Sequence, residues 1–392
     1  MFEYKEEYKY LTNICLNVTD ACNLACRYCF VEQHPHYMTL DTAKATVNFI
    51  LENLKKKNEN KGSLTYFGGE PMLLYDEIIV PLTNWIKENN YPIDLSMTTN
   101  GTLLNKERID FLKANNFNLL LSIDGNKKTQ EYNRPCRNSN LNSFTIIEDN
   151  IEYLLQNFPN ITFRSTIYAP TVQETFNNYT YAMGRGFQNI FMMPDGRHEW
   201  TKEQMEILGQ ELDKIFMSIN FAFNKGIQVI NFSPLERILQ SLIDYATEPK
   251  ELNISRQCNR CGLGTSFGAI GYDGSIYGCQ EQPSKDENNI FYIGNIETGI
   301  DINLHTRLLE KYNEKKIATC IDSNRCDNCL LRKICLGWAC PSSSWDLFQD
   351  LHIDSVIACF WREKMFANAM LLYNDLKDNE MFKKYFEGVI KR

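Results

Sequence analysis

Along the first 230 positions, short apolar runs alternate with longer stretches in which apolar residues recur every three to four positions. The short runs are Ile14–Val18, Leu64–Phe67, Asp94–Thr98, Asn118–Ile123, Ile161–Tyr168 and Asn189–Met193. Runs of this length, bounded by turn residues, read as strands. The longer stretches, Thr39–Lys57, Glu77–Glu88, Lys106–Asn115 and Phe144–Asn157, carry the helical period. Strand followed by helix, repeated, means βα units on a parallel sheet, an α/β fold. Six such units make a partial (β/α)6 barrel, short of the eight that close a full one, and active sites of such folds lie at the C-terminal strand ends. Thr201–Lys225 and Pro234–Tyr245 read as further helices.

From Ser255 the pattern changes to Cys, Gly and Asn with few long periodic segments, and Val356–Lys391 reads as a closing helix. Two domains are expected, residues 1–235 and 236–392. The second is expected to be held by bound metal more than by a large core. The net charge of −8 excludes a general nucleic-acid surface. No apolar run approaches the roughly 18–20 residues that span a bilayer, so no membrane association is expected. Met1–Tyr10 carries Glu and Lys without an apolar core, so no signal peptide is expected and the chain is assigned to the cytoplasm.

Fourteen cysteines in such a chain are a poor disulfide framework and a good metal-binding set. They fall at 22, 26 and 29, at 258, 261 and 279, and between 320 and 359; Cys15 and Cys136 stand apart. Cys22-x3-Cys26-x2-Cys29 directly follows the first strand. Three thiolates in one loop hold three irons of a cubane and leave the fourth open, and an open position marks a catalytic metal site. The alternative is zinc completed by His34 or His36, although the spacing departs from the usual zinc pairs.

The CxxxCxxC spacing with Tyr28 before the last cysteine resembles the radical S-adenosylmethionine (SAM) superfamily, and later strand ends carry matching elements. Gly68-Gly69-Glu70-Pro71 looks like the family's element for the SAM amino group. Thr99-Asn100 and Ser122, with Asp124 close by, are similar to positions near the SAM ribose and substrate. Arg134 sits where relatives place an arginine on the SAM carboxylate, and Arg164 and Thr166 also resemble cofactor positions. Taken singly, the Asn-Gly and Asp-Gly pairs are equally well ordinary turns. The resemblance covers about residues 11–200. It implies a [4Fe–4S] cluster and SAM as cofactors, with a reduced flavodoxin or ferredoxin as electron donor.

The later cysteines are similar to the SPASM extension with two auxiliary clusters, giving three [4Fe–4S] clusters in all. By that resemblance Cys258, Cys261, Cys279 and Cys340 hold one, and Cys326, Cys329, Cys335 and Cys359 the other. The spacing from Cys335 to Cys340 is one residue longer than the family's usual CxxxC. Cys320 lies outside the pattern and reads, with Cys15 and Cys136, as a small buried hydrophobe. A local zinc-ribbon reading of Cys326-x2-Cys329 is the competing assignment.

SPASM enzymes mostly act on peptides or proteins. The first expectation is therefore a maturase that installs a thioether, carbon–carbon or carbon–oxygen crosslink in a ribosomally made peptide. Twenty-one residues precede Cys22, too few for a leader-binding domain, so a separate protein presents the leader or the two domains bind the peptide directly. The second is an anaerobic sulfatase-maturating enzyme. Its family places an aspartate base directly after the cysteine matching Cys279, where this chain has Gln280 and then Glu281. A third, different in kind, is a non-enzymatic electron-transfer protein. Asp124, Gln280 and Glu281 are the catalytic candidates; Asp195 and Arg197 are further pocket candidates, and His198 reads as a solvated loop residue.

Overall fold

A computed structural model of the chain describes residues 2–247, 261–283, 288–313, 319–320, 329, 331 and 340–390. All six expected strands form: β1 Asn13–Thr19, β2 Gly62–Gly68, β3 Ile93–Thr99, β4 Asn118–Ser122, β5 Thr162–Ile167 and β6 Asn189–Pro194. A short β7, Asn231–Phe232, follows. The four expected intervening helices are Leu40–Lys57, Val80–Glu88, Lys106–Ala114 and Ser143–Asn157. The sheet is open, not a closed barrel.

The chain divides into two compact units that cut across the boundary expected at residue 235. In the first (residues 1–122, 135–158 and 254–316), β1, β2, β3 and β4 are parallel neighbours in that order. The buried residues Leu16, Leu64, Leu95 and Leu121 supply the apolar alternation that seats these strands against their helices. The stretch read as metal-dependent adds four strands on the other side of β1: β8 Phe267–Ile270, β9 Ser275–Tyr277, β10 Tyr292–Asn295 and β11 Gly299–Ile300. β8 runs parallel to β1, pairing Ile14 with Gly268, and β9 to β11 are antiparallel. Buried Cys15, Ala269 and Tyr277 form a core there, with Phe67, Phe267 and Tyr292 packed against it. This part therefore owns an apolar core, because its strands borrow β1 as their partner.

In the second unit (residues 123–134, 159–253 and 317–392), β5, β6 and β7 are parallel. Helix Lys202–Asn224 starts at a capping box in which Thr201 and Gln204 satisfy each other's backbone N–H. The single closing helix expected over 356–391 is instead two, Val356–Leu376 and Glu380–Ile390. Asn379 breaks it: its Oδ1 accepts from the N–H groups of Met381 and Phe382, starting a new helix, while its amide donates to the Phe223 carbonyl. Among the described residues no helix is long and apolar enough to cross a membrane.

Candidate active site

The loop after β1 carries Cys22, Cys26 and Cys29, none in a disulfide, the first two half-buried and the third exposed. It is pinned through its backbone: Ala25 N–H donates to the Pro135 carbonyl, and Arg137 Nε donates to the Cys22 carbonyl at 3.0 Å. Tyr28 is buried beside it. The Cys22 sulfur receives the Leu24 N–H (3.4 Å) and Asn100 Nδ2 (3.7 Å). Burial pushes the Cys22 thiol up to about 12, and the Glu70 carboxylate adds to the rise. A bare thiol there stays protonated, and a bound cation is what makes the thiolate the stable form.

Among the described residues no three His, Cys, Asp or Glu side chains converge as a single metal ion requires. His36, one of the residues offered to zinc, is spent elsewhere: its Nδ1 pairs with Asp20 at 2.8 Å and its ring stacks on Tyr272. Three thiols on one loop, none in a disulfide and one met by two N–H donors, fit a sulfur-ligated group that takes three ligands from the chain.

Gly68 and Gly69 end β2 where the chain passes against the loop after β1. Gly69 N–H donates to the Thr19 carbonyl at 2.7 Å, and Glu70 N–H to Ala21 at 2.9 Å. A Cβ on Gly68 would lie 2.1 Å from the Thr19 oxygen, and one on Gly69 2.1 Å from the Ala21 oxygen; Gly68 also has φ +128°. Only glycine fits either position. Glu70 is buried and spends both oxygens within the protein. Oε1 accepts from Met72 N–H (3.0 Å) and Thr99 Oγ1 (2.8 Å), and Oε2 from Asn100 N–H (2.7 Å). Burial raises its carboxyl to about 7, and these three donors oppose the rise. Glu70 thus clamps the end of β2 to the end of β3.

Ser122 closes β4, half-buried. The second unit gathers the other candidates. Asp124 is fully buried; its Oδ1 accepts from Arg134 Nε and Thr166 N–H, each at 3.0 Å, and its Oδ2 from Asn133 at 2.9 Å. A carboxylate so engaged braces Arg134 and β5; it is not a base poised in a pocket. Arg164 lays its guanidinium 4.6 Å from the Phe191 ring centre and donates to the Ser165 carbonyl. Beyond β6, Asp195 is buried and holds the His198 Nδ1 at 2.5 Å and the Arg197 N–H at 3.1 Å. His198 is an exposed loop residue, as expected, and its pairing with Asp195 holds it with Tyr168 edge-on to its ring. Arg197 itself turns to Asp346 and Ser342.

In the first unit a cleft of about 430 Å³, counting space open to solvent, is lined by Asn17, Asp20, Val31, Phe67, Tyr272 and Gln280 among others. Asn17 Nδ2 donates to the Gln280 carbonyl at 3.1 Å. Glu281 is half-buried next along. Of the later cysteines, Cys261 and Cys340 are exposed, Cys279, Cys329 and Cys359 half-buried, and none of the five is in a disulfide. The Cys261 sulfur lies 3.4 Å from the Tyr312 hydroxyl. Cys258, Cys326 and Cys335 lie outside the described residues. Cys15 is a buried core residue as expected, whereas Cys136 is only half-buried.

Residues 16–177 match the family model of the radical SAM superfamily. The chain is 24% identical to the radical SAM cyclopropyl synthase TigE of Paramaledivibacter caminithermalis, over 82% of this chain and 66% of that protein, just under two thirds of its length. It is 26% identical to a cysteine-type anaerobic sulfatase-maturating enzyme of Clostridium perfringens, over 67% of this chain and 72% of that one. The solved structure of anSMEcpe with bound AdoMet shares the fold at a TM-score of 0.74, covering 97% of this chain and 98% of that chain at 19% identity. SuiB of Streptococcus suis bound to its precursor peptide SuiA matches at 0.56, over 88% and 75%, with 14% identity.

Proposed function

With a radical SAM domain over residues 16–177 as premise, we propose that this chain cleaves SAM reductively and uses the resulting radical on a peptide substrate, installing a thioether, carbon–carbon or carbon–oxygen crosslink. The observation that carries the first half is the thiol loop. Three cysteines, none in a disulfide, follow β1 on one loop, and Cys22 is met by two N–H donors. A [4Fe–4S] cluster bound there supplies the electron that splits SAM into methionine and a 5′-deoxyadenosyl radical able to take a hydrogen atom from an unactivated carbon.

The chain's own residues bind and orient. Cys22, Cys26 and Cys29 hold three irons. The Gly68-Gly69 backbone would receive the SAM amino group, and Arg134, braced by Asp124, the carboxylate. Arg164 and Thr166 line the cofactor side of β5. The cleft holding Gln280 admits a substrate side chain. Gln280 is neutral and offers an amide to the substrate, not a base. The later cysteines, Cys258, Cys261, Cys279, Cys326, Cys329, Cys335, Cys340 and Cys359, would hold two auxiliary [4Fe–4S] clusters, which would supply an acceptor for the electron left on the substrate when the crosslink closes. A reduced flavodoxin or ferredoxin supplies the first electron.

A second reading, formation of formylglycine in a sulfatase, is favoured by the likeness to anSMEcpe over nearly the whole chain. Gln280 stands against it. Mass spectrometry decides. The holoenzyme is given SAM, dithionite and either the peptide encoded beside its gene or a Cys-x-Pro-x-Arg sulfatase peptide. Loss of two hydrogens with sulfur retained is the expected crosslink. Exchange of the thiol for an aldehyde on the sulfatase peptide would replace the crosslinking reading with the second.

A further inference from the structure

Asn100 carries a hydrogen-bond arrangement that the SAM-binding reading does not use. It is 6% exposed. Its Oδ1 accepts from the Thr102 N–H at 3.0 Å and the Thr102 hydroxyl at 2.6 Å. Two donors on one atom fix that atom as the oxygen, so the amide cannot be flipped. Its Nδ2 therefore points the other way, one hydrogen to Asn23 Oδ1 at 2.9 Å and the other to Cys22 Sγ at 3.7 Å. Asn23 closes the ring by donating to Thr102 Oγ1 at 2.8 Å. From below, Glu70 Oε2 holds the Asn100 N–H at 2.7 Å. The amide is thus locked on three sides with one N–H left aimed at a sulfur.

We propose that Asn100, locked by Thr102, Asn23 and Glu70, sets the reduction potential of the iron–sulfur cluster by donating a hydrogen bond to the Cys22 thiolate. The inference rests on the reading of Cys22 as a cluster ligand. Reduction adds negative charge to the cluster and its sulfurs. An N–H directed at a ligating sulfur stabilises that charge and raises the potential. The effect is greatest where water does not compete, and Asn100 is buried. Cys29 offers the contrast: it is exposed, and its side-chain donor, Gln33 Nε2 at 3.7 Å, lies at the surface. Of these two ligands, Cys22 is the one on which the protein has more leverage. Asn100 tunes the sulfur directly; Thr102 and Glu70 act through it as positioning residues.

The test is a redox titration of the reconstituted holoenzyme followed by electron paramagnetic resonance, reading the signal that added SAM perturbs, which separates this cluster from any auxiliary one. Loss of an outer-shell partner typically costs 10–100-fold in metal affinity or activity, and the lower end of that range sets the scale expected here. In Asn100→Ala the ratio of reduced to oxidised cluster at a fixed potential falls about tenfold, a downward shift of about 59 mV for a one-electron couple. Thr102→Val keeps the amide but removes the hydroxyl that orients it, and shifts the potential the same way by less; it serves as the test should Asn100→Ala lose its iron. An unchanged or higher potential in an iron-replete variant would overturn the proposal. A wild-type chain with no SAM-perturbed signal would overturn the reading of Cys22 beneath it instead.

Discussion

Replacing Asp124 by alanine removes the carboxylate on which the helix after β4 and the edge of β5 both depend. The side chain is wholly buried and accepts from Arg134 Nε at 3.0 Å, Thr166 N–H at 3.0 Å and Asn133 Nδ2 at 2.9 Å. Stranding a buried donor costs about 1–3 kcal/mol, and removing one member of a buried ion pair about 3–5 kcal/mol. The three contacts share one carboxylate, so the costs do not add; about 4 kcal/mol is expected for alanine. Asn keeps one acceptor oxygen and the shape, and should lose about 2 kcal/mol. Urea unfolding followed by circular dichroism measures both, beside SAM binding by equilibrium dialysis. SAM affinity should fall with stability, because Arg134 loses its brace. An alanine variant within about 1 kcal/mol of wild type, or one that is stable yet loses only turnover, would refute the bracing role and restore Asp124 as a pocket base.

Gly69→Ala should cost at least tenfold in SAM affinity, since its Cβ would lie 2.1 Å from the Ala21 oxygen, whereas Gly184→Ala, which meets nothing within 4 Å inside helix Thr175–Arg185, should stabilise by about 0.5–1 kcal/mol; equal SAM affinity in both would remove the steric argument. His305 is buried, donating from Nε2 to the Gly264 carbonyl and accepting at Nδ1 from the Tyr4 hydroxyl, and burial lowers its pKa to about 4. The unfolded chain takes up that proton near pH 6.5, so the stabilisation is full above 6.5 and is lost as pH falls towards 4, by about 3 kcal/mol. Melting curves between pH 4 and 7.5 should show His305→Gln flattening that slope, and an unchanged slope would exclude His305 as its source.

The six strands and the helices between them were legible because each carries its own period: Leu64, Tyr66 and the inward face of β2 alternate, and Ala43, Val47, Ile50 and Leu54 repeat along one face of their helix. β8 to β11 were not, because strands of two to four residues have no period of their own and are defined by pairing, β8 with β1 more than 250 positions away and β9 to β11 each with the strand before it. The break at Asn379 hid for the opposite reason: apolar residues continue on both sides, and only the cap interrupts them. The site divides the same way. Spacing marks Cys22, Cys26 and Cys29 directly, since their chemistry is local. The clamp that Glu70 makes depends on Thr99 and Asn100, 29 and 30 positions on, and so has no local signal. His305 carried no signal at all, since its partner Tyr4 is 301 positions away. His198 had one: Asp195 stands three residues earlier, close enough to pair across a turn.

The central claim is that the loop after β1 supports reductive cleavage of SAM. Cys22, Cys26 and Cys29 are replaced together by alanine, and both proteins are reconstituted anaerobically with iron and sulfide. Each is then given SAM and dithionite, and 5′-deoxyadenosine is counted by liquid chromatography. The wild-type chain should form it and the triple variant none, with about four fewer irons per chain but an unchanged circular dichroism spectrum. Deoxyadenosine from the triple variant at the wild-type rate would contradict the account.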